Sequence, residues 1–248
     1  MFFLQLILFP VAIIFGIVVF FRNLLYDTGI LRSHQFEIPI ISIGNLSMGG
    51  TGKTPMIEYL IRLLKEKYPL ATLSRGYGRC TKGFLLAKNN SSSFHVGDEP
   101  LQFKKKFPDI AVAVDENRKH GIKKILSLFP ETKVILLDDA FQHRRVKPKL
   151  SVLLTDYNKI YYKDFIFPVG TLREWQSGKS RADIIVVTKS PENISSEEKS
   201  IIIKKLRPAT HQHVFFSHIK YGCLHSLADI SKSLPLNAIR DFQIILLT

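Results

Sequence analysis

The chain has 248 residues, with 35 Lys and Arg against 21 Asp and Glu, a net charge of +14, and 46% hydrophobic residues. That balance excludes a disordered chain and leaves room for a substantial core, while two lone cysteines, Cys80 and Cys223, exclude a disulfide framework or a Cys-rich zinc module. The cation excess calls for an anionic partner: nucleic acid, phosphorylated metabolite or acidic membrane surface.

Met1 to Phe21 holds one strongly polar side chain, Gln5, and about 20 apolar residues are what a helix needs to cross a hydrocarbon core. A secretory signal opens with cations and closes with small residues. Here no cation precedes the run, and Phe20, Phe21 and Arg22 close it, so residues 1–25 are expected to stay as a membrane-associated helix. Positive charge begins at Arg22 and Arg32, which places the rest of the chain on the cytoplasmic side. Pro10 and Gly16 leave two arrangements open, a spanning helix or one embedded in a single leaflet.

Residues 36–248 read as alternating strands and helices. Short apolar runs at Pro39–Ile43, Leu70–Leu73, Ile110–Val114, Val134–Leu137, Ser151–Leu154, Ile184–Val187, Val214–Phe216 and Ile244–Leu247 predict strands. Helical spacing predicts helices over Pro55–Leu64, Ile122–Leu128 and Ser195–Leu206, and Phe84–Leu86 is a possible extra strand. Continuous apolar strands separated by helices indicate an α/β fold with a mostly parallel sheet covered on both faces.

Between the first strand and first helix lies Ser47-Met48-Gly49-Gly50-Thr51-Gly52-Lys53-Thr54. This is a phosphate-loop pattern, G-x-x-x-x-G-K-[ST], with Ser47 in the place of the first Gly. Backbone N–H groups of such a loop wrap phosphates, Lys53 reaches the β- and γ-phosphates, and the Thr54 hydroxyl ligates magnesium. The fold class is therefore expected to be P-loop NTPase-like. Asp138 and Asp139 close an apolar strand, where P-loop proteins place the carboxylate that holds magnesium. The polar run Phe141-Gln142-His143-Arg144-Arg145 follows, and Arg144 or Arg145 could face a phosphate. Ser74-Arg75-Gly76-Tyr77-Gly78-Arg79 and Gly97-Asp98-Glu99-Pro100 fall where loops gather at the carboxyl edge of a parallel sheet.

Gly44 to Pro55, Ser74 to Arg79, Gly97 to Pro100, Asp138 to Arg145 and Pro168-Val169-Gly170-Thr171-Leu172-Arg173-Glu174 together resemble the tetraacyldisaccharide 4'-kinases, the inner-membrane lipid A kinases of Gram-negative bacteria. The resemblance implies ATP and Mg2+ as cofactors and transfer of the γ-phosphate to the 4'-hydroxyl of a lipid A disaccharide 1-phosphate precursor. It also implies Asp98 as the carboxylate that orients or deprotonates that hydroxyl, Lys53 on the phosphates, and Asp138 and Asp139 on magnesium. Arg75, Arg79, Arg118 and Arg173 are implied contacts for phosphate or sugar. An amphiphilic, phosphorylated acceptor on an anionic leaflet accounts for both the apolar helix and the basic surface, with anionic inner-membrane lipid as a second partner at the cytoplasmic face. Family members carry a C-terminal Asp-His-His segment that this sequence does not contain, so the chain is expected to lack the C-terminal part of the family's fold.

Three other readings compete. A GTPase or metallochaperone shares the phosphate loop, yet guanine selection uses N/T-K-x-D, and Thr188-Lys189-Ser190 is followed by Pro191. A nucleic-acid binder would also be basic, but no RNP-like aromatic block or zinc-finger spacing occurs, so nucleic acid is not expected as a partner. A homologue that binds nucleotide without transferring phosphate is the remaining alternative.

Overall fold

A computed structural model describes residues 2–220, 222–225 and 232–235. The chain divides into two units, Met1–Ser217 and His218–Thr248. In the second, strands β9 (Leu224–His225) and β10 (Ser233–Leu234) pair antiparallel. The strand expected at Ile244–Leu247 lies outside the described residues.

The first unit is built on one eight-stranded sheet. In chain order its strands are β1 (Ile40–Asn45), β2 (Leu70–Ser74), β3 (Leu85–Leu86), β4 (Ala111–Val114), β5 (Val134–Asp138), β6 (Leu150–Asp156), β7 (Ile184–Thr188) and β8 (His213–Phe216). Their order across the sheet is β3-β4-β2-β5-β1-β6-β7-β8; all neighbours run parallel except the short edge strand β3. Because the strands run the same way, Asn45, Ser74, Val114, Asp138, Asp156 and Thr188 end at one edge, where the connecting loops collect.

Helices cover both faces. On one side α2 (Lys53–Leu64) and α4 (Asp98–Lys106) bury Ile57, Ile61 and Phe103 against Ile43, Val112, Leu136 and Leu154. On the other, α5 (Arg118–Leu128) packs Ile122 and Ile125 on Leu73, Ile135 and Leu137. Beside it α6 (Ser196–Leu206) and α1 (Phe2–Asp27) close over Leu153, Ile185 and Val187. Alternate residues of each buried strand thus feed opposite faces, the period of two that a doubly covered sheet requires.

The strands expected within the first unit agree to within two residues, while β9 and β10 were not expected. The helices α2 and α5 start two and four residues before the expected positions and α6 one residue after, and each start has a local cause. The αL conformation of Gly52 (φ 80°) turns the chain straight into α2 at Lys53, and Pro55 sits in the first turn, where its missing N–H has no partner to lose. The Asn117 side chain accepts the His120 N–H, so α5 begins at Arg118, four residues before its apolar stripe. α6 is capped by Ser195 accepting the Glu198 N–H. The four-residue α3 (Ser93–Val96), capped by Ser92, was not anticipated, nor were the 3-10 turns Tyr161–Lys163 and Gln176–Arg181. α1 continues two residues beyond the expected boundary at residue 25, to Asp27.

Candidate active site at the carboxyl edge of the sheet

The phosphate loop leaves β1 at Asn45, which lies between β5 and β6. Its shape is fixed from several sides. The Asn45 amide donates to Thr51 Oγ1 at 2.8 Å, Thr188 Oγ1 donates to the Thr51 carbonyl at 2.9 Å, and Lys189 Nζ donates to the Gly50 carbonyl at 2.6 Å. The Met48 N–H donates to the Thr171 carbonyl and the Arg173 N–H to the Leu46 carbonyl, each at 2.7 Å. The Thr171–Arg173 segment therefore runs alongside the start of the loop, with Ser47 bridged to Leu172. Gly49 and Gly52 both have positive φ, 112° and 80°, a conformation that a Cβ would strain.

Lys53 and Thr54 open α2 and turn toward carboxylates. Lys53 Nζ stands 3.7 Å from Asp139 Oδ1, and the Lys53 side chain is 12% exposed. Thr54 Oγ1 donates to Glu99 Oε1 at 3.3 Å. Asp138 is buried, its Oδ1 has no hydrogen-bond partner, and burial with the nearby Glu99 and Asp139 carboxylates pushes it up to about 7. Asp139, at φ 46°, receives two bonds of 2.9 Å from Arg173 Nη1.

Thr54, Asp138 and Glu99 are the oxygen donors that a magnesium ion takes, and a buried carboxylate oxygen with no partner is what an absent cation leaves behind. Among the described residues no three His, Cys, Asp or Glu side chains converge closely enough to bind a metal by themselves. That fits magnesium, which keeps several waters and shares its shell with substrate phosphates. Asp139, turned to Arg173 and Lys53, is less available as a direct ligand than Asp138.

Asp98 is the first residue of α4 and is exposed. Gly97 holds the N-cap position at φ 91°, without a side-chain cap, and no described residue bonds to the Asp98 carboxylate. A Cβ on Gly97 would come within 3.0 Å of the Tyr77 carbonyl, so the Ser74–Arg79 and Gly97–Pro100 loops touch backbone to backbone. Helix capping does not account for Asp98.

The candidate arginines divide. Arg79 donates to Glu116 Oε1 and the Gly83 carbonyl and braces its own loop. Arg173 serves Asp139. Arg144 pairs with Asp27, donates to the Asn23 carbonyl and lies over the Tyr26 ring, so it clamps α1, and it also lines the cavity at the foot of that helix. Arg118 is 1% exposed, donates to the Asp115 and Asp138 carbonyls, and keeps a buried Nε without a partner; burial lowers it to about 10. Arg75 is exposed and has no carboxylate partner among the described residues.

Arg118 also lines a cavity of about 910 Å³ at the C-terminal foot of α1, together with Arg22, Arg32, Lys119, His143 and Arg145. Burial, then Arg118, Arg75, Arg22 and Arg145, lower His143 to about 4. Between about pH 4 and 6.5 the unfolded chain would bind a proton on this histidine that the folded chain does not. Stability contributed here is present above 6.5 and is lost as pH falls toward 4. His143→Asn is expected to flatten the melting-temperature profile across that interval; an unchanged slope would place the acid sensitivity elsewhere.

Sequence reasoning missed three members of this edge. Glu99 and Glu174 stand in the sequence motifs only as unassigned positions, and Asp115 stands in none. Glu174 is 1% exposed and gathers bonds from Asn23, Gln142 and Arg181, joining α1 to the site's framework. Asp115, also 1% exposed, follows β4 and bonds His120 Nδ1 at 2.6 Å. A carboxylate directly after an apolar strand was the available signal for Asp115.

The model of one family, described as tetraacyldisaccharide-1-P 4'-kinase, matches residues 4–239. The chain belongs to this family. It is 55% identical over 218 residues to a Flavobacterium johnsoniae tetraacyldisaccharide 4'-kinase, covering 88% of this chain and 64% of that one. Identity to the Flavobacterium psychrophilum tetraacyldisaccharide 4'-kinase is 50% over 247 residues, 99% of this chain and 71% of the relative. A crystal structure of Aquifex aeolicus LpxK in complex with ATP superposes with a TM-score of 0.77 at 32% identity, covering 96% of this chain and 71% of that one. The P-loop kinase fold is thus shared with a tetraacyldisaccharide kinase structure. The chain spans about two thirds of the length of these family members.

Proposed function

We propose that the chain binds ATP with magnesium at Ser47–Thr54 and transfers the γ-phosphate to the 4'-hydroxyl of a tetraacyldisaccharide 1-phosphate, at the cytoplasmic face of a bacterial inner membrane. The meeting of Lys53 with Asp139 and of Thr54 with Glu99, around the buried Asp138, is the observation that carries this reading.

The roles follow from position and charge. Backbone N–H groups of the loop and the start of α2 cradle the β- and γ-phosphates. Lys53 sets an ammonium against the charge that spreads over the transferring phosphoryl oxygens, and Arg173 holds Asp139 so that this lysine keeps its direction. Thr54, Asp138 and Glu99 would hold magnesium, which when bound would supply further neutralisation of the phosphate charge. Asp98, exposed at the same edge and bonded to none of the described residues, orients the acceptor hydroxyl and takes its proton as the oxygen attacks phosphorus and the bond to ADP breaks. Arg118 and the other cations of the cavity at the foot of α1 offer a place for the acceptor's own phosphate.

The apolar helix supports the membrane part of the proposal. Ile7–Asp27 is long and apolar enough by length and composition to reach across a membrane, and most of its surface is exposed. Cations at its foot suit anionic headgroups. ADP release measured with and without the disaccharide in mixed micelles tests the reading. Acceptor-dependent release is expected; equal rates would leave an ATPase with no acceptor site.

A further inference from the structure

α1 has two unlike faces. Leu8, Ala12, Phe15, Gly16, Val19 and Asn23 recur at helical spacing and are buried or half-buried against the body. The contact is close: the Trp175 indole N–H donates to the Gly16 carbonyl at 2.9 Å, the Phe15 and Phe167 rings meet edge to face at 5.9 Å, and a Cβ on Gly16 would fall 2.5 Å from the Trp175 ring. The other face, including Ile7, Val11, Ile14, Val18 and Phe21, is exposed.

That exposed face does not stop at the helix. Phe165, Phe167 and Trp175 are 64%, 41% and 42% exposed, and Ile166 between the two phenylalanines is buried, so the extended segment turns both aromatic rings outward. Three large exposed aromatic residues beside an exposed apolar helix face are the kind of surface that marks a protein or membrane contact. Arg22, Arg32 and Arg145 follow at the foot of the helix.

A spanning helix does not suit this arrangement. Ala12 packs in one cluster with Tyr161, Ile166 and Leu172, so the body reaches at least to its level. Ten residues separate Ala12 from Arg22 along the helix, about 15 Å at 1.5 Å per residue. With Arg22 at the headgroups, an upright helix would carry the body about halfway through a ~30 Å hydrocarbon core. The exposed Lys159 and Lys163, in the segment leading to Phe165, would go in with it.

We propose that α1 does not cross the bilayer but lies in one leaflet as half of an insertion face, the other half being the Phe165, Phe167 and Trp175 loop, with the lipid surface as its partner. This rests on the membrane reading above and adds to it a depth and a second element. Aromatic rings favour the boundary between headgroups and hydrocarbon, and cations favour the anionic layer just outside, so the face and the arginines at its foot match the layers of one leaflet in order.

Trp175 is the only tryptophan, so the emission of the full chain reports this loop alone. The chain would be bound to vesicles of phosphatidylethanolamine and phosphatidylglycerol doped with lipids brominated at shallow or deep acyl positions. A blue shift with stronger quenching by shallow bromines is expected. Quenching chiefly by deep bromines would overturn the proposal in favour of an immersed, spanning arrangement. Sedimentation with vesicles without any change in emission would overturn it too, leaving α1 to insert alone. Failure to sediment at all would remove the membrane reading itself, a separate result. As a second arm, Phe165→Ser should lower vesicle partitioning by about tenfold with unchanged circular dichroism, since the ring is mostly exposed; unchanged partitioning would exclude the loop from the face.

Discussion

Lys53→Ala is expected to lower phosphoryl transfer by roughly 100- to 1,000-fold, the range found when one preorganised donor to developing charge is removed, and to weaken ATP binding as well. The Lys53 side chain is 12% exposed and its Nζ stands 3.7 Å from Asp139 Oδ1, so its charge acts in a partly dry setting where it is poorly replaced by water. Removing it also leaves Asp139 with Arg173 as its remaining cationic partner, beside Asp138 and Glu99. Two losses then coincide: phosphate neutralisation and relief of crowded carboxylates. Titration of ATP by calorimetry together with initial rates separates binding from chemistry. Wild-type turnover in this variant would remove the phosphate-loop assignment.

Asp98→Asn should behave differently. Among the described residues none bonds to the Asp98 carboxylate, and Gly97 occupies the cap position, so the substitution has little to disturb in the fold. Melting temperature and ATP affinity are expected to stay near wild type, while the transfer rate falls by about 100-fold or more, the contribution typical of a positioned general base. Asn keeps the shape and can still accept a hydrogen bond from the hydroxyl, but it cannot take the proton. An unchanged rate would assign the proton to another group. A fall in melting temperature equal to the loss of activity would return Asp98 to a structural role.

Much of the site was legible because phosphate chemistry constrains local sequence tightly. A loop that wraps phosphates needs glycines at positive φ, a lysine and a hydroxyl at fixed spacing, and Gly49, Gly52, Lys53 and Thr54 supply them within a few residues. Asp138 was visible for a similar reason, as a carboxylate ending an apolar strand beside β1. The less legible partners depend on distant packing. Glu99 meets Thr54 because α4 lies against α2, an approach held in part by Glu58 accepting from Gln102 and Lys106. Arg173 finds Asp139 from 34 residues away, and Arg118 is drawn under the Asp138 carbonyl by the start of α5. None of these has a spacing that a sequence window can detect. The apolar helix was visible as composition, whereas its packed stripe was not: Ala12 and Gly16 look like ordinary small residues until Trp175, far along the chain, closes on them.

Transfer of the γ-phosphate itself is the most direct measurement of the proposed activity. The chain, in mixed micelles with magnesium and ATP labelled at the γ-phosphorus, would be offered the tetraacyldisaccharide 1-phosphate, or the same lipid with its 4'-hydroxyl blocked as a methyl ether. The proposed function predicts label in the unblocked lipid as a new phosphomonoester, none in the blocked one, and roughly 100-fold less or lower from Lys53→Ala. Label released only as inorganic phosphate, at the same rate with either lipid, would contradict it.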